Sequence, residues 1–252
     1  MNQNATLGTN RTGVAAAPER SQEMLTGMEE FPPTSQGSAL DTAQVRIAYA
    51  KEAEPIGSVP MPEGWQNKVR TAVKVVQGAQ PTLFMDKLGE RLAFERAGTR
   101  LYEALISKYD AYGSFSGGPS KADLEHILEE EYRHFTMLQS VIEQLGGDPT
   151  AVTPSANLHA TASQGLPKVL TDPRTTLLQS LEAILIAELA DNACWEALVE
   201  LAQQAGEDEL VPQFESACAT EQEHLTKVRT WLAAAQGRKL NGRNGRSKKK
   251  AR

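Results

Sequence analysis

Four stretches of the chain repeat apolar residues at alternating steps of three and four, and an acid interrupts each repeat near its middle. The first runs Leu88, Leu92, Glu95, Thr99, Tyr102, Ile106, Tyr109. The second runs Leu124, Ile127, Glu131, His134, Leu138, Val141, Leu145. The third is Leu177, Leu181, Ile184, Glu188, Asp191, Trp195, Leu198, Ala202, and the fourth is Leu210, Phe214, Ala217, Glu221, His224, Val228, Trp231. Residues three and four apart share one face of a helix, so each stretch predicts an amphipathic helix with that face buried. An unpaired carboxylate on a buried face is costly unless it is neutralised, paired or bound to a metal.

Local signals set the helix ends. Gln80 and Pro81 open the first long helix, expected to run to about Tyr112. Gly117, Gly118 and Pro119 break the chain, Ser120 with Asp123 caps the second helix, and Gly146 and Gly147 stop it. Residues 148–171 are polar and contain prolines, a length that calls for a reason inside a compact domain. A crossover along the length of a bundle supplies one. Asp172 and Pro173 read as the start of the third helix and Gly206 as its end, and Pro212 fits only in the first turn of the fourth. The order predicts an all-α fold over residues 81–236: a four-helix bundle of two antiparallel pairs joined by a long crossover. Glu131 follows Glu95 by 36 residues and Glu221 follows Glu188 by 33, so the halves also read as an internal duplication.

Outside the bundle the pattern fades. Residues 1–40 are rich in Gly, Thr, Ser, Asn, Gln and Pro without an apolar period, and are expected to be a disordered extension. Within residues 41–80, Asp41 begins a short helix to residue 53, and a second carries Trp65, Val69, Val73 and Val76 on one side. Both are expected to pack on the bundle, joined by a connector with two prolines and two glycines.

Charge divides the chain more sharply than its net value of −6 suggests. Residues 237–252 hold eight Lys and Arg and no acid, leaving 18 basic against 32 acidic side chains elsewhere, a balance of −14. The acidic body favours cation uptake; the tail is expected to be disordered, with a nucleic acid as its possible polyanion partner. The two cysteines, Cys194 and Cys218, form no CxxC pair, which excludes a zinc-ribbon or rubredoxin-type site and argues against a secreted disulfide scaffold. Antiparallel pairing puts both thiols at similar heights, open to a redox-pair reading, although small apolar fillers are the commoner use. No apolar leader or membrane-length run is present, so a cytoplasmic protein with no membrane partner is expected.

Candidate chemistry converges on the four acids. Glu131 with His134, and Glu221 with His224, each place a carboxylate and an imidazole one turn apart on one helix face. One cation can take the imidazole while the Glu bridges to a second, with Glu95 and Glu188 completing the pair from the other helices. Oxygen and imidazole donors suit iron or manganese, alone or mixed, better than soft-ligand metals. His126 and His159 lie off this constellation and receive no role.

From about Leu83 to Gln236 the chain resembles the ferritin-like di-iron superfamily, with rubrerythrins and bacterioferritins nearest in pattern. The resemblance implies two metal ions, most simply iron, held by Glu95, Glu131, His134, Glu188, Glu221 and His224. Tyr102, two turns after the first-helix Glu, stands where the family places a tyrosine hydrogen-bonded to the site. Rubrerythrins carry a movable Glu one turn after the third-helix ligand; Asp191 stands there, one methylene shorter, suited to binding through water or to orienting a histidine. The sequence shows no rubredoxin domain, which removes the usual built-in electron donor and leaves the donor unknown. The implied activity is a ferroxidase- or peroxidase-type oxidoreductase using O2 or hydrogen peroxide, in iron or oxidative-stress handling, as a homodimer or larger homo-oligomer. Iron storage, an oxygenase or manganese catalase, and a non-catalytic stress or DNA-associated bundle stand as alternatives.

Overall fold

The computed structural model describes residues 7–9, 12–35, 37–64, 66–67 and 80–248, with side chains as far as residue 237. Among these residues the only regular elements are helices. The expected helix around Val69, Val73 and Val76 lies outside the described residues. Contacts divide the chain into two units, residues 2–56 and 57–252.

In the first unit, a 3-10 turn at Val14–Ala16 precedes α1 (Pro18–Glu30), and α2 spans Ala39–Glu52. Helix α1 lies within the segment whose composition predicts disorder. It forms because Pro18 sits in the first turn with Glu19, followed by good helix formers, and Arg20 pairs with Glu23 at 2.9 Å. The cap of α2 is Ser38 rather than Asp41: the Ser38 hydroxyl accepts from Asp41 N at 3.0 Å. Neither helix buries a residue.

In the second unit four long helices dominate: α3 (Pro81–Tyr112), α4 (Lys121–Gln144), α7 (Leu177–Gln204) and α8 (Val211–Lys248). Helix α4 begins with the anticipated capping box between Ser120 and Asp123, and Gly146 (φ +81°) follows its end. Helix α3 packs on α4 and α7, and α8 packs on α7 and α4.

The crossover is more ordered than its composition suggested. It holds two short helices, α5 (Pro154–Ala162) and α6 (Gly165–Thr171), both lying on α3. Thr153 caps α5 and donates to Asp86 O, while Ser155 N and Oγ donate to the Asp86 carboxylate at 2.9 and 2.7 Å. At the other end Lys108 Nζ donates to Asp172 O at 2.5 Å. Asp86 and Lys108 are about 33 Å apart along a helix, which is why the connection is long.

Two helix ends depart from expectation. Helix α7 starts at Leu177, because Thr176 and Gln179 make a capping box, whereas Asp172 is spent on Arg174 N and its guanidinium. Helix α8 continues to Lys248 through the basic segment expected to be disordered; no proline stops it.

Two apolar clusters fill the interior. One contains Leu101, Tyr102, Leu105, Leu124, Ile127, Leu181, Ile184, Val228 and Trp231. The other contains Leu88, Leu92, Leu138, Val141, Trp195, Leu198, Phe214 and Ala217. The third stripe is buried along its whole length, whereas the first is offset: Gly98 and Leu105 are buried where Thr99 and Ile106 are half-buried.

Candidate metal centre

In the sequences of α4, α7 and α8 a polar layer separates the residues of one apolar cluster from those of the other, and in α3 Glu95 does so except for Phe94. Glu95 on α3, Glu131 and His134 on α4, Glu188 and Asp191 on α7, and Glu221 and His224 on α8 are all buried. Six of the side chains fall into two groups, Glu95–His134–Glu221 and Glu131–Glu188–His224, with the donor atoms of each within 4.8 Å of one another. Each Glu-x-x-His pair is thus divided, its imidazole in one group and its carboxylate in the other. Each group draws on three helices.

The distances are those of polar atoms gathered without full hydrogen-bond satisfaction. His134 Nδ1 lies 2.7 Å from Glu221 Oε1 and 3.7 Å from Glu95 Oε2. His224 Nδ1 lies 3.1 Å from Glu221 Oε2 and 3.7 Å from Glu131 Oε1. Glu95 Oε2, Glu188 Oε2, Glu221 Oε1 and His134 Nδ1 are buried without an aligned hydrogen bond among the described residues. Buried carboxylates and imidazoles left in that state call for a cation. Oxygen and imidazole donors fit iron or manganese.

Electrostatics agree with that reading. Burial, then the Glu221 charge, pushes Glu131 well above the usual carboxylate range; burial followed by the Asp191 and Glu95 charges does the same to Glu221. Burial raises Glu188 to about 7, against the pull of His224 and the Tyr102 hydrogen bond. Glu95 is also opposed by burial, but His134 and Arg91 bring it below its ordinary value. His224 is opposed by burial too, yet Glu131 and Glu188 raise it to about 9. Without a cation, the layer holds its charge down by retaining protons.

The surrounding side chains fix these groups. Tyr102 OH donates to Glu188 Oε1. Trp195 Nε1 donates to Glu95 Oε1 at 2.9 Å, and its ring stands edge-on to His134. Asn192 Nδ2 donates to the Glu188 and Glu221 carbonyls, tying α7 to α8. Glu130 Oε2 lies 2.8 Å from His224 Nε2, turning Nδ1 inward. Gly98 lets Glu131 approach α3, since a Cβ there would overlap Glu131 Oε2.

Asp191 stands outside both groups, and among the described residues no hydrogen bond joins it to a histidine; Arg91 Nη2 lies 2.5 Å from its Oδ1, and Arg91 Nη1 donates to its carbonyl. Arg91, fully buried, also reaches Glu95 at 3.5 Å and stacks over Phe94. The sequence reading missed Arg91, Glu130 and Asn192 and read Trp195 as core only. An Arg one turn before Glu95 and a glycine inside a long helix, normally unfavourable there, were the available signals. Both cysteines are free: Cys218 packs beside the second apolar cluster, and Cys194 lies with Glu90 and His159.

The sequence profile of the rubrerythrin family matches residues 86–232, more than half of the chain and all seven acids and histidines of the layer. The chain belongs to the rubrerythrin family. This is a ferritin-like di-iron family, and the match includes no rubredoxin domain. No curated protein and no solved structure matches the chain. Among the described residues, no helix is long and apolar enough to cross a membrane.

Proposed function

We propose that the four long helices form a ferritin-like four-helix bundle holding two iron ions, and that the chain is an oxidoreductase of the ferroxidase or peroxidase type. The supporting observation is the division of each Glu-x-x-His pair between two buried carboxylate–imidazole groups. Glu95, His134 and Glu221 hold one ion, and Glu131, Glu188 and His224 the other. Bound there, two ferrous ions would supply the two electrons that, with two protons, take hydrogen peroxide to water or O2 to hydrogen peroxide. The chain's own residues bind, orient and insulate. The apolar clusters limit water, Trp195 and Tyr102 position Glu95 and Glu188, and Glu130 orients His224. The Tyr102 hydroxyl, kept protonated by burial and then by the Glu188 and Glu131 charges, is a donor that stays in place at any physiological pH. Arg91 holds the Asp191 carboxylate away from a ligand's role beside Glu188. An external reductant returns the electrons.

Metal analysis followed by anaerobic ferrous loading, then O2 or peroxide with near-ultraviolet absorbance recorded, tests the reading. Two ions per chain and rapid oxidation by either oxidant are expected. Bound metal that neither oxidant changes overturns the redox assignment, and no bound metal overturns the site.

A further inference from the structure

The structure assigns a third cation site, outside the polar layer: Glu90 on α3, His159 on α5 and Cys194 on α7 are placed to hold one borderline divalent transition-metal ion, of which Zn2+ is the type. Their donor atoms lie within 4.8 Å of one another, and all three side chains are half-buried. Each comes from a different element, and the crossover's anchoring on Asp86 delivers His159 to the place. His159 Nδ1 is 3.3 Å from Glu90 Oε1, and the Phe94 ring fixes the imidazole from the side at 4.5 Å between centroids.

The donor chemistry selects the ion. A carboxylate, an imidazole and a thiolate together match zinc-like cations, and three protein donors leave a fourth position for water. Donor atoms about 2.0–2.3 Å from a tetrahedral ion stand about 3.3–3.8 Å apart, so modest side-chain rotation closes the set. Glu90 keeps a second partner, Lys87, whose Nζ holds Oε2 at 2.7 Å and leaves Oε1 facing His159. On binding, the sulfur–metal bond replaces the thiol S–H, and the proton leaves to solvent. A plain His159–Glu90 contact pinning the crossover accounts for two of the groups and gives the Cys194 sulfur nothing to do.

Cobalt titration of the full chain carrying Cys218→Ala tests this, because the carboxylate–imidazole groups contain no sulfur. A thiolate-to-cobalt absorption band whose full amplitude corresponds to one thiolate-bound cobalt per chain is expected, whatever cobalt the two carboxylate–imidazole groups also take up. It should vanish in Cys194→Ser and need about 10- to 100-fold more cobalt in His159→Ala, at least the loss typical of removing a supporting residue. The band should persist in Glu188→Ala, which separates this site from the proposed iron centre. No thiolate band, or one that survives Cys194→Ser, overturns the assignment. Alkylation of Cys194 by a maleimide, in the same Cys218→Ala chain, gives a second readout. Zn2+ at about ten times its dissociation constant leaves about a tenth of the thiol free and should slow it about tenfold; an unchanged rate overturns the site.

Discussion

Gly98 and Glu131 face one another between α3 and α4, and a methyl group on the glycine would occupy the space of a carboxylate oxygen. Gly98→Ala should therefore displace Glu131 and cost about 1–3 kcal/mol of stability through overpacking. Denaturant unfolding checks the stability, and a Mn2+ titration should show weaker binding. Trp195→Phe removes the N–H that holds Glu95 while keeping an aromatic ring beside His134. Competition against a chelator should show metal affinity falling about 10- to 100-fold, as for other supporting partners of metal ligands. All six acids and imidazoles of the two groups stand on the stripes read from the sequence, because i, i+3 and i+4 spacing is local. Arg91 was not legible in the same way. Its side chain crosses from α3 to Asp191 on α7, and nothing within four residues of Arg91 announces that partner.

At the scale of elements, the crossover shows how tertiary bonds support a segment with little apolar period of its own. Helices α5 and α6 bury only Ala156 and Leu170, and Asp86 fastens their start through two bonds to Ser155. Asp86→Ala should cost about 1–3 kcal/mol for the lost charge-assisted bonds. Hydrogen exchange should quicken across residues 154–162 while α4 keeps its protection. The cap of α4 was legible as Ser120-x-x-Asp123, and so was the glycine stop after it. The start of α7 was misread, because Asp172 followed by Pro173 carries the same local signature as Thr176 with Gln179. Which pair caps the helix depends on Arg174 and Lys108 claiming Asp172.

For the molecule as a whole, the metal-free centre works against folding at neutral pH. Burial lifts Glu188 from 4.5 to about 7, and Asp191, also lifted by burial despite Arg91, goes from 3.8 to about 6. Glu131 and Glu221 move upward as well, and His224 rises from 6.5 to about 9. In each case the folded state binds the proton more tightly than the unfolded chain, so this contribution is complete below the unfolded value and is lost as pH rises through the folded one. Glu95, lowered, contributes in the opposite sense at the acid end. The melting temperature of chelator-treated protein should therefore fall as pH rises from 4.5 to 9. Metal binding displaces those protons, so affinity should climb over the same range. Mn2+ at about a hundredfold its dissociation constant should restore about 2.7 kcal/mol for each ion bound. Melting curves with and without metal across that range check both slopes. A metal-free melting temperature that rises with pH would show the carboxylates to be satisfied by other means.

The sequence by itself determined that four helices would each carry an acid into a buried face, and that two would carry an imidazole one turn later. Those are properties of a 3.6-residue period and need no partner to be stated. Only the tertiary structure decided the partnerships: the imidazole of one Glu-x-x-His pair with the carboxylate of the other, Arg91 with Asp191, Trp195 with Glu95, and His159 with Glu90. Glu95 and Trp195 are 100 residues apart. The relative register of α3 and α7 and the path of the crossover bring such residues together, and neither is encoded in any local spacing along the chain.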